Sequence, residues 1–205
     1  MYESLEQSLN RVSIFHFAYF FIRGYMMTIN QKIIPAISNH QALKKFLVLG
    51  YPYGILMNFH LAQLPELVKE MKSHQKKVLI HSELIKGLSS DEYGAIYLIQ
   101  NLNVDGIISS KPKVIEVCKK RQVIGIFRFF LKDTTALEQS LSITRKLEPN
   151  YIEILPASSL DIIKFIQTEV HAKILLGGLI QTKCQIDKCI KAGAQAVTTS
   201  NPALW

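Results

Sequence analysis

At 205 residues, with 48% hydrophobic and 20% charged side chains, the chain can bury one sizeable core, which argues against global disorder and against two full domains. Its 24 basic against 16 acidic residues leave a formal charge of +8, compatible with a polyanionic partner without requiring one. Three cysteines, Cys118, Cys184 and Cys189, form no C-x-x-C pair, which argues against a disulfide framework and for reduced thiols in the cytoplasm.

The first 26 residues do not match the rest. The run SIFHFAYFFI (13–22) is too short to span a bilayer, and MYESLEQSLNR before it lacks the early positive charge of a signal peptide. RGYMM (23–27) can be encoded by purine-rich codons that resemble a ribosome-binding sequence ahead of an ATG, so Met26 or Met27 is read as the natural start. A genuine amphipathic arm is the alternative. On the first reading 1–26 is a dispensable extension and 27–205 the folded domain. A chain beginning at Met27 should then keep its melting temperature, and a loss of several degrees would show that the arm packs on the core.

From Ile33 onward, short apolar runs alternate with segments of helical period, the βα signature. Strands are expected at IIPAI (33–37), GILMN (54–58), KVLIH (77–81), DGIIS (105–109), VIGIF (123–127), YIEIL (151–155), KILLG (173–177) and AVTTS (196–200). Helices fill the gaps, among them LAQLPELVKEMKSH (61–74) and TTALEQSLSITRKLE (134–148), the latter with Asp133 as N-cap. Gly193 is placed to end the seventh helix. Eight βα repeats in so short a chain predict a single-domain α/β fold, a (βα)8 TIM-barrel-like fold, and the five residues NPALW after the last strand leave its eighth helix stunted.

A (βα)8 barrel carries its site at the C-terminal ends of its strands. Those ends are polar here: Asn58 and His60, His81 and Glu83, Ser109 and Ser110, Arg128, Glu153 with Pro156, Gly177 and Gly178, and Thr198, Thr199 and Ser200. Phosphate sites recur after strands 7 and 8, where a glycine backbone can approach an anion closely and hydroxyls add donors. Gly177, Gly178, Thr198, Thr199 and Ser200 stand at those two ends, and Asn201-Pro202 fits a helix start. The plainer alternative is that the glycines only turn the chain and the threonines only suit a strand. His60, His81, Glu83 and Glu153 could bind a polyol or perform acid–base chemistry, and His60, His81 and Glu153 could ligate a metal. No lysine lies within a strand end to form a Schiff base.

The basic residues gather in the turns leading into strands. Lys76 and Lys77 precede strand 3, Lys119, Lys120 and Arg121 precede strand 5, and Arg145 and Lys146 precede strand 6. At that end they could grip a phosphodiester backbone, or they could simply complement helix macrodipoles. No RNP1-type signature accompanies them.

ILMNFHLAQL (55–64), KVLIHSELIKGLSSDEY (77–93), DGIISSKPKVIEVCKKR (105–121), RFFLKDTTALEQS (128–140), PNYIEILP (149–156), LGGLIQT (176–182) and AGAQAVTTSNPALW (192–205) together resemble the glycerol-3-phosphate responsive antiterminators. The resemblance is collinear from about Ile33 to Trp205 and does not reach residues 1–26. It implies a cytoplasmic (βα)8 regulator, not an enzyme, that binds leader mRNA when glycerol 3-phosphate is present and lets polymerase read through a terminator. It further implies no cofactor beyond that effector, no metal and no membrane partner, and it leaves a homo-oligomer open. Gly177, Gly178, Thr198, Thr199 and Ser200, with Arg128, would hold the phosphate; Glu153, His81, His60 and Asn58 would read the glycerol hydroxyls. Four positions depart from the family pattern: Asn58 and Glu83 stand where aspartate is usual, Lys86 where histidine is usual, and Gln181 where arginine is usual. The rival from another class is a barrel enzyme acting on a small phosphate ester: a lyase or isomerase using Glu153 and His81, or a metal phosphodiesterase.

Overall fold

The computed structural model describes residues 28–158 and 160–205, so the expectation about residues 1–26 lies outside the described residues. The barrel unit runs from Gln31 to Trp205. Eight parallel strands close on themselves in sequence order: β1 (Ile33–Ile37), β2 (Tyr53–Leu56), β3 (Lys77–His81), β4 (Gly106–Ser109), β5 (Ile124–Phe130), β6 (Tyr151–Leu155), β7 (Lys173–Gly177) and β8 (Ala196–Thr199). Between them lie α1 (His40–Val48), α2 (Leu64–Ser73), α3 (Glu92–Gln100), α4 (Pro112–Lys120), α5 (Thr134–Leu147), α6 (Ile163–Glu169) and α7 (Lys183–Lys191). After β8 there is only a 3-10 turn, Pro202–Leu204, started by the side chain of Asn201.

Strand pleating divides each strand between two layers. Val78 and Ile80 of β3 pack among Leu67, Val68 and Met71 of α2, in the layer between sheet and helices. Ile152 and Ile154 of β6 pack among Ile163 and Ile166 of α6 in the corresponding layer. Leu79, His81, Tyr151 and Glu153 therefore share the opposite face, inside the barrel. Most helices begin on a polar cap: Asn39 for α1, Asp91 for α3, Asp133 for α5, and Thr182 with Gln185 in a capping box for α7. Helix α4 has no side-chain cap and starts on Lys111. Gly193, at φ +109°, ends α7, and its N–H donates to the Ile190 carbonyl.

Two elements differ from the sequence expectation by three residues at one end, the other strands by two or fewer. The segment 61–74 is a 3-10 turn, Leu61–Gln63, followed by α2, because Pro65 at the first helical turn restarts the chain as an α-helix. Strand β5 continues to Phe130, since the aromatic run pairs with β6 out to Phe130↔Leu155. Arg128 consequently lies within its strand, directly opposite Glu153, rather than beyond the strand end.

Candidate functional site

Glu153 is the centre of the mouth. It is fully buried, its Oε2 is 2.6 Å from Arg128 Nε, and its Oε1 accepts a 2.6 Å hydrogen bond from the Thr198 hydroxyl. The bond from β6 to β8 passes over β7, and Gly177 lies beneath it. A Cβ at Gly177 would sit 2.3 Å from Thr198 Oγ1 and 3.1 Å from Glu153 Oε1. The first glycine is thus required by a carboxylate–hydroxyl bond, a reason different from anion approach. Arg128 spends only Nε on Glu153; its two terminal nitrogens have no acceptor among the described residues. Five donors in a planar fork, with one used, leave the Nη pair for an anionic group.

Gly178 follows at φ +79° and Leu179 at φ +59°, with Leu179 largely exposed. The backbone N–H groups of Gly178, Leu179 and Ile180 find no protein acceptor among the described residues. Thr199 differs from Thr198: its hydroxyl accepts from the Asn201 N–H, and its carbonyl accepts from Trp205 Nε1. It shapes the turn after β8, and Ser200 beside it is exposed.

His81, at the end of β3, is 3% exposed, and neither ring nitrogen has a well-aligned hydrogen-bond partner. Its Nδ1 lies 3.3 Å from Glu83 Oε2, a close approach without hydrogen-bond alignment. Such a buried, unsatisfied imidazole at the mouth of a barrel is set for a partner that is not protein. Glu83 is clamped from β4: its Oε1 accepts from the Ser109 hydroxyl, the Ser110 N–H and the Ser110 hydroxyl, at 2.8, 2.6 and 3.0 Å. Burial pushes the Glu83 carboxyl up, but the close approach of His81 and the hydrogen bonds from Ser110 and Ser109 outweigh it and hold the group well below the usual carboxylate range. Because the folded pKa is the lower one, Glu83 contributes stability at pH values above its ordinary pKa near 4.5, and that contribution is lost as pH falls toward the depressed value. Acid titration of Glu83→Gln should therefore show a shallower loss of stability below about pH 4.5 than the parent chain; identical acid limbs would contradict the clamp.

Asn58 and His60 stand on the loop after β2 and are exposed. Asn58 has φ +63°, a conformation that asparagine tolerates. His60 Nδ1 accepts from the Ala62 N–H, so part of its ring is spent capping the 3-10 turn. Among the described residues no three of His, Cys, Asp and Glu converge as a metal site, so His60, His81 and Glu153 do not form a ligand set. Glu83, one of the four residues that the sequence offers for a polyol or for acid–base chemistry, is instead held by the end of β4. The signal available was Ser109-Ser110 at the neighbouring strand end, two hydroxyls facing one carboxylate.

The basic turns at the other end are largely occupied. Lys76 Nζ donates to the Leu49 and Tyr51 carbonyls and lies 5.1 Å from the Phe46 ring centroid, and burial lowers its pKa. Lys77 pairs with Asp105, Lys119 with Glu148 and Arg145 with Glu169. Lys119 and Lys120 fill the last turn of α4, and Arg145 and Lys146 that of α5, where cations complement the macrodipole. Arg121 is the C-cap of α4. Lys76→Ala should cost about 1 kcal/mol, a fall of roughly 2–4 °C in melting temperature. A variant that melts with the parent would show that the two carbonyl contacts contribute nothing.

A closed (βα)8 barrel with a buried Arg–Glu–Thr bridge, an unsatisfied histidine and backbone N–H groups without an acceptor among the described residues at one mouth has the features of a ligand-binding barrel. The profile of the glycerol-3-phosphate responsive antiterminators matches residues 33–205, and the chain belongs to that family. It is 37% identical to the glycerol uptake operon antiterminator regulatory protein of Listeria monocytogenes, whose crystal structure superposes with a TM-score of 0.83 over 86% of this chain and 95% of that one. A glycerol uptake operon antiterminator-related protein from Thermotoga maritima shares the fold at 24% identity and a TM-score of 0.75, over 85% and 98% of the two chains. The uncharacterized protein YgcP of Escherichia coli (strain K12) is 23% identical over 84% of this chain and 91% of its own. Among the described residues no helix is long and apolar enough to cross a membrane.

Proposed function

We propose that the barrel is a non-enzymatic cytoplasmic sensor: it binds glycerol 3-phosphate at the mouth and, when loaded, binds leader mRNA to antiterminate transcription of glycerol uptake genes. The observation that carries the ligand reading is the pair of unsatisfied sets at one mouth, the Nη groups of Arg128 with the Gly178–Ile180 N–H groups, and the buried His81. Arg128 and the loop after β7 hold the phosphate, with the exposed Ser200 within the turn beyond β8. Glu153, His81, His60 and Asn58 read the polyol, Glu153 and His81 from the barrel interior and the other two from the loop after β2. A hydroxyl that satisfies His81 is rewarded and an analogue without it leaves the imidazole orphaned, which is the basis of discrimination. Thr198 acts through Glu153 and Gly177 by leaving room for that bond; Thr199 shapes the loop. No cofactor enters this scheme.

Calorimetric titration with glycerol 3-phosphate, glycerol and inorganic phosphate tests it. Binding of the phosphate ester well above either half-molecule is expected, with no turnover of the ester on prolonged incubation. Turnover of the ester or of glycerophosphodiesters would instead establish the enzyme. Equal binding of inorganic phosphate would remove the polyol contacts.

A further inference from the structure

We infer that the RNA surface is the rim of the ligand mouth over β2–β4, built on Lys86, Tyr93, Lys111 and Lys113, and not the ring of basic turns at the far end. This rests on the mRNA-binding reading above and locates it.

The loops after β2, β3 and β4 are stitched into one platform. The Asn58 N–H donates to the Leu84 carbonyl, the Lys86 N–H to the Phe59 carbonyl and the Leu61 N–H to the Lys86 carbonyl. Glu83 then ties the loop after β3 to Ser109 and Ser110 at the end of β4. Lys86, Lys111 and Lys113 are all exposed on this platform, and none has an ion pair among the described residues. Its acidic groups are few: Glu83 is held internally, Asp91 is spent on the Gly94 N–H and the Ser89 hydroxyl, and Glu66 and Glu92 lie in the first turns of α2 and α3, where the helix dipole favours a carboxylate. Lys132, further round the mouth, shares a cleft with Asp133 and Asp161, whose charges offset its own.

Helix α4 separates structural cations from these. At its last turn Lys119 and Lys120 are favoured by the macrodipole. At its start, Lys111 is the N-cap residue and Lys113 lies in the first turn, where the dipole disfavours a cation; there is no acidic residue and no side-chain cap. Folding gives no reason for two lysines at that end, whereas a phosphodiester does. Tyr93, in the first turn of the adjacent α3, is 74% exposed and offers a ring for an unpaired base to stack on. Cations beside an exposed aromatic ring suit single-stranded RNA better than an apolar protein partner.

The location also couples the two ligands. The Lys111 N–H donates to Ser109 Oγ at 3.1 Å, Ser109 Oγ–H donates to Glu83, and Glu83 touches His81. A ligand that engages His81 is three contacts from the backbone of a lysine on the RNA surface.

The test is fluorescence anisotropy with a labelled transcript of the leader preceding the glycerol uptake genes, with saturating glycerol 3-phosphate, over a range of salt. Lys111→Glu combined with Lys113→Glu should weaken RNA binding at least tenfold and reduce the salt slope by about 1.4, at roughly 0.7 per lost phosphate contact. Carboxylates at that helix start satisfy the dipole, so the double variant should melt no lower than the parent and bind glycerol 3-phosphate unchanged. Tyr93→Ala should lower affinity with the salt slope intact. Parent-like binding by the double charge reversal, with loss in a Lys119→Ala, Lys120→Ala, Arg121→Ala variant, overturns this surface and places the RNA at the opposite end. A parent chain that ignores the leader at every ligand concentration overturns the mRNA reading itself, and the surface with it.

Discussion

Glu153→Ala should destabilise the barrel by about 3–5 kcal/mol, because the Arg128 side chain, only 15% exposed, would remain with no counter-charge. For a chain of this size that is a fall of roughly 6–20 °C in melting temperature. The Thr198 hydroxyl, buried within 6% exposure, would lose its acceptor at the same time. Glycerol 3-phosphate binding should disappear from calorimetry under conditions where circular dichroism still reports a folded barrel. Glu153→Leu combined with Arg128→Met should recover much of the stability, since an apolar pair can replace a buried ion pair at little cost. It should recover none of the binding. A single Glu153→Ala variant that melts with the parent, or binds with parent affinity, would show that the bridge is ornamental.

Gly177→Ala should have an effect out of proportion to one methyl group. The added carbon would stand 2.3 Å from Thr198 Oγ1, and neither strand can withdraw, because Gly177 and Thr198 are register partners in a closed sheet. The hydroxyl must rotate off Glu153, leaving a buried carboxylate oxygen without its donor, at about 1–3 kcal/mol or more. Ligand affinity should fall with it. The pair Gly177→Ala with Thr198→Ala should be more stable than Gly177→Ala alone, an inversion that only this contact explains. Gly178→Val fails for another reason: it places a branched residue at φ +79° with its Cβ 3.3 Å from Leu155, at about 1–3 kcal/mol of strain. Its binding should be lost as well, through the displaced N–H groups of the loop.

The fold could be read in the sequence because its strands are short, apolar and evenly separated by amphipathic segments, so β3, β6 and β7 begin and end where the pattern places them. What the pattern could not supply was direction and pairing. Thr198 and Thr199 are equivalent in the sequence, yet one reaches Glu153 and the other holds the turn to Trp205, because the pleat sends neighbours to opposite faces. A glycine at position 177 could answer either of two demands that a sequence cannot separate, close approach of an anion or clearance for a bond between strands two apart, and the contacts around Gly177 are those of the second. Lys76 and Lys111 are both lysines in polar turns. Only the carbonyls of Leu49 and Tyr51 around the first, and the bare start of α4 beneath the second, tell them apart.

The pairing of β1 with β8 sets Ile34 against Thr198, residues 164 positions apart in the chain, and Thr198 is also the residue that holds Glu153. Closing so long a loop comes late in folding, since its entropy is met before any contact rewards it. The sensing mouth and the finished ring therefore come into being together. A nascent or proteolytically nicked chain that lacks β8 has no Glu153–Thr198 bridge and no loop beyond β7 held against it. If the mouth is the sensing site proposed above, such fragments would not answer glycerol 3-phosphate, and a cell that accumulates them would not be left with a regulator stuck in the responsive state.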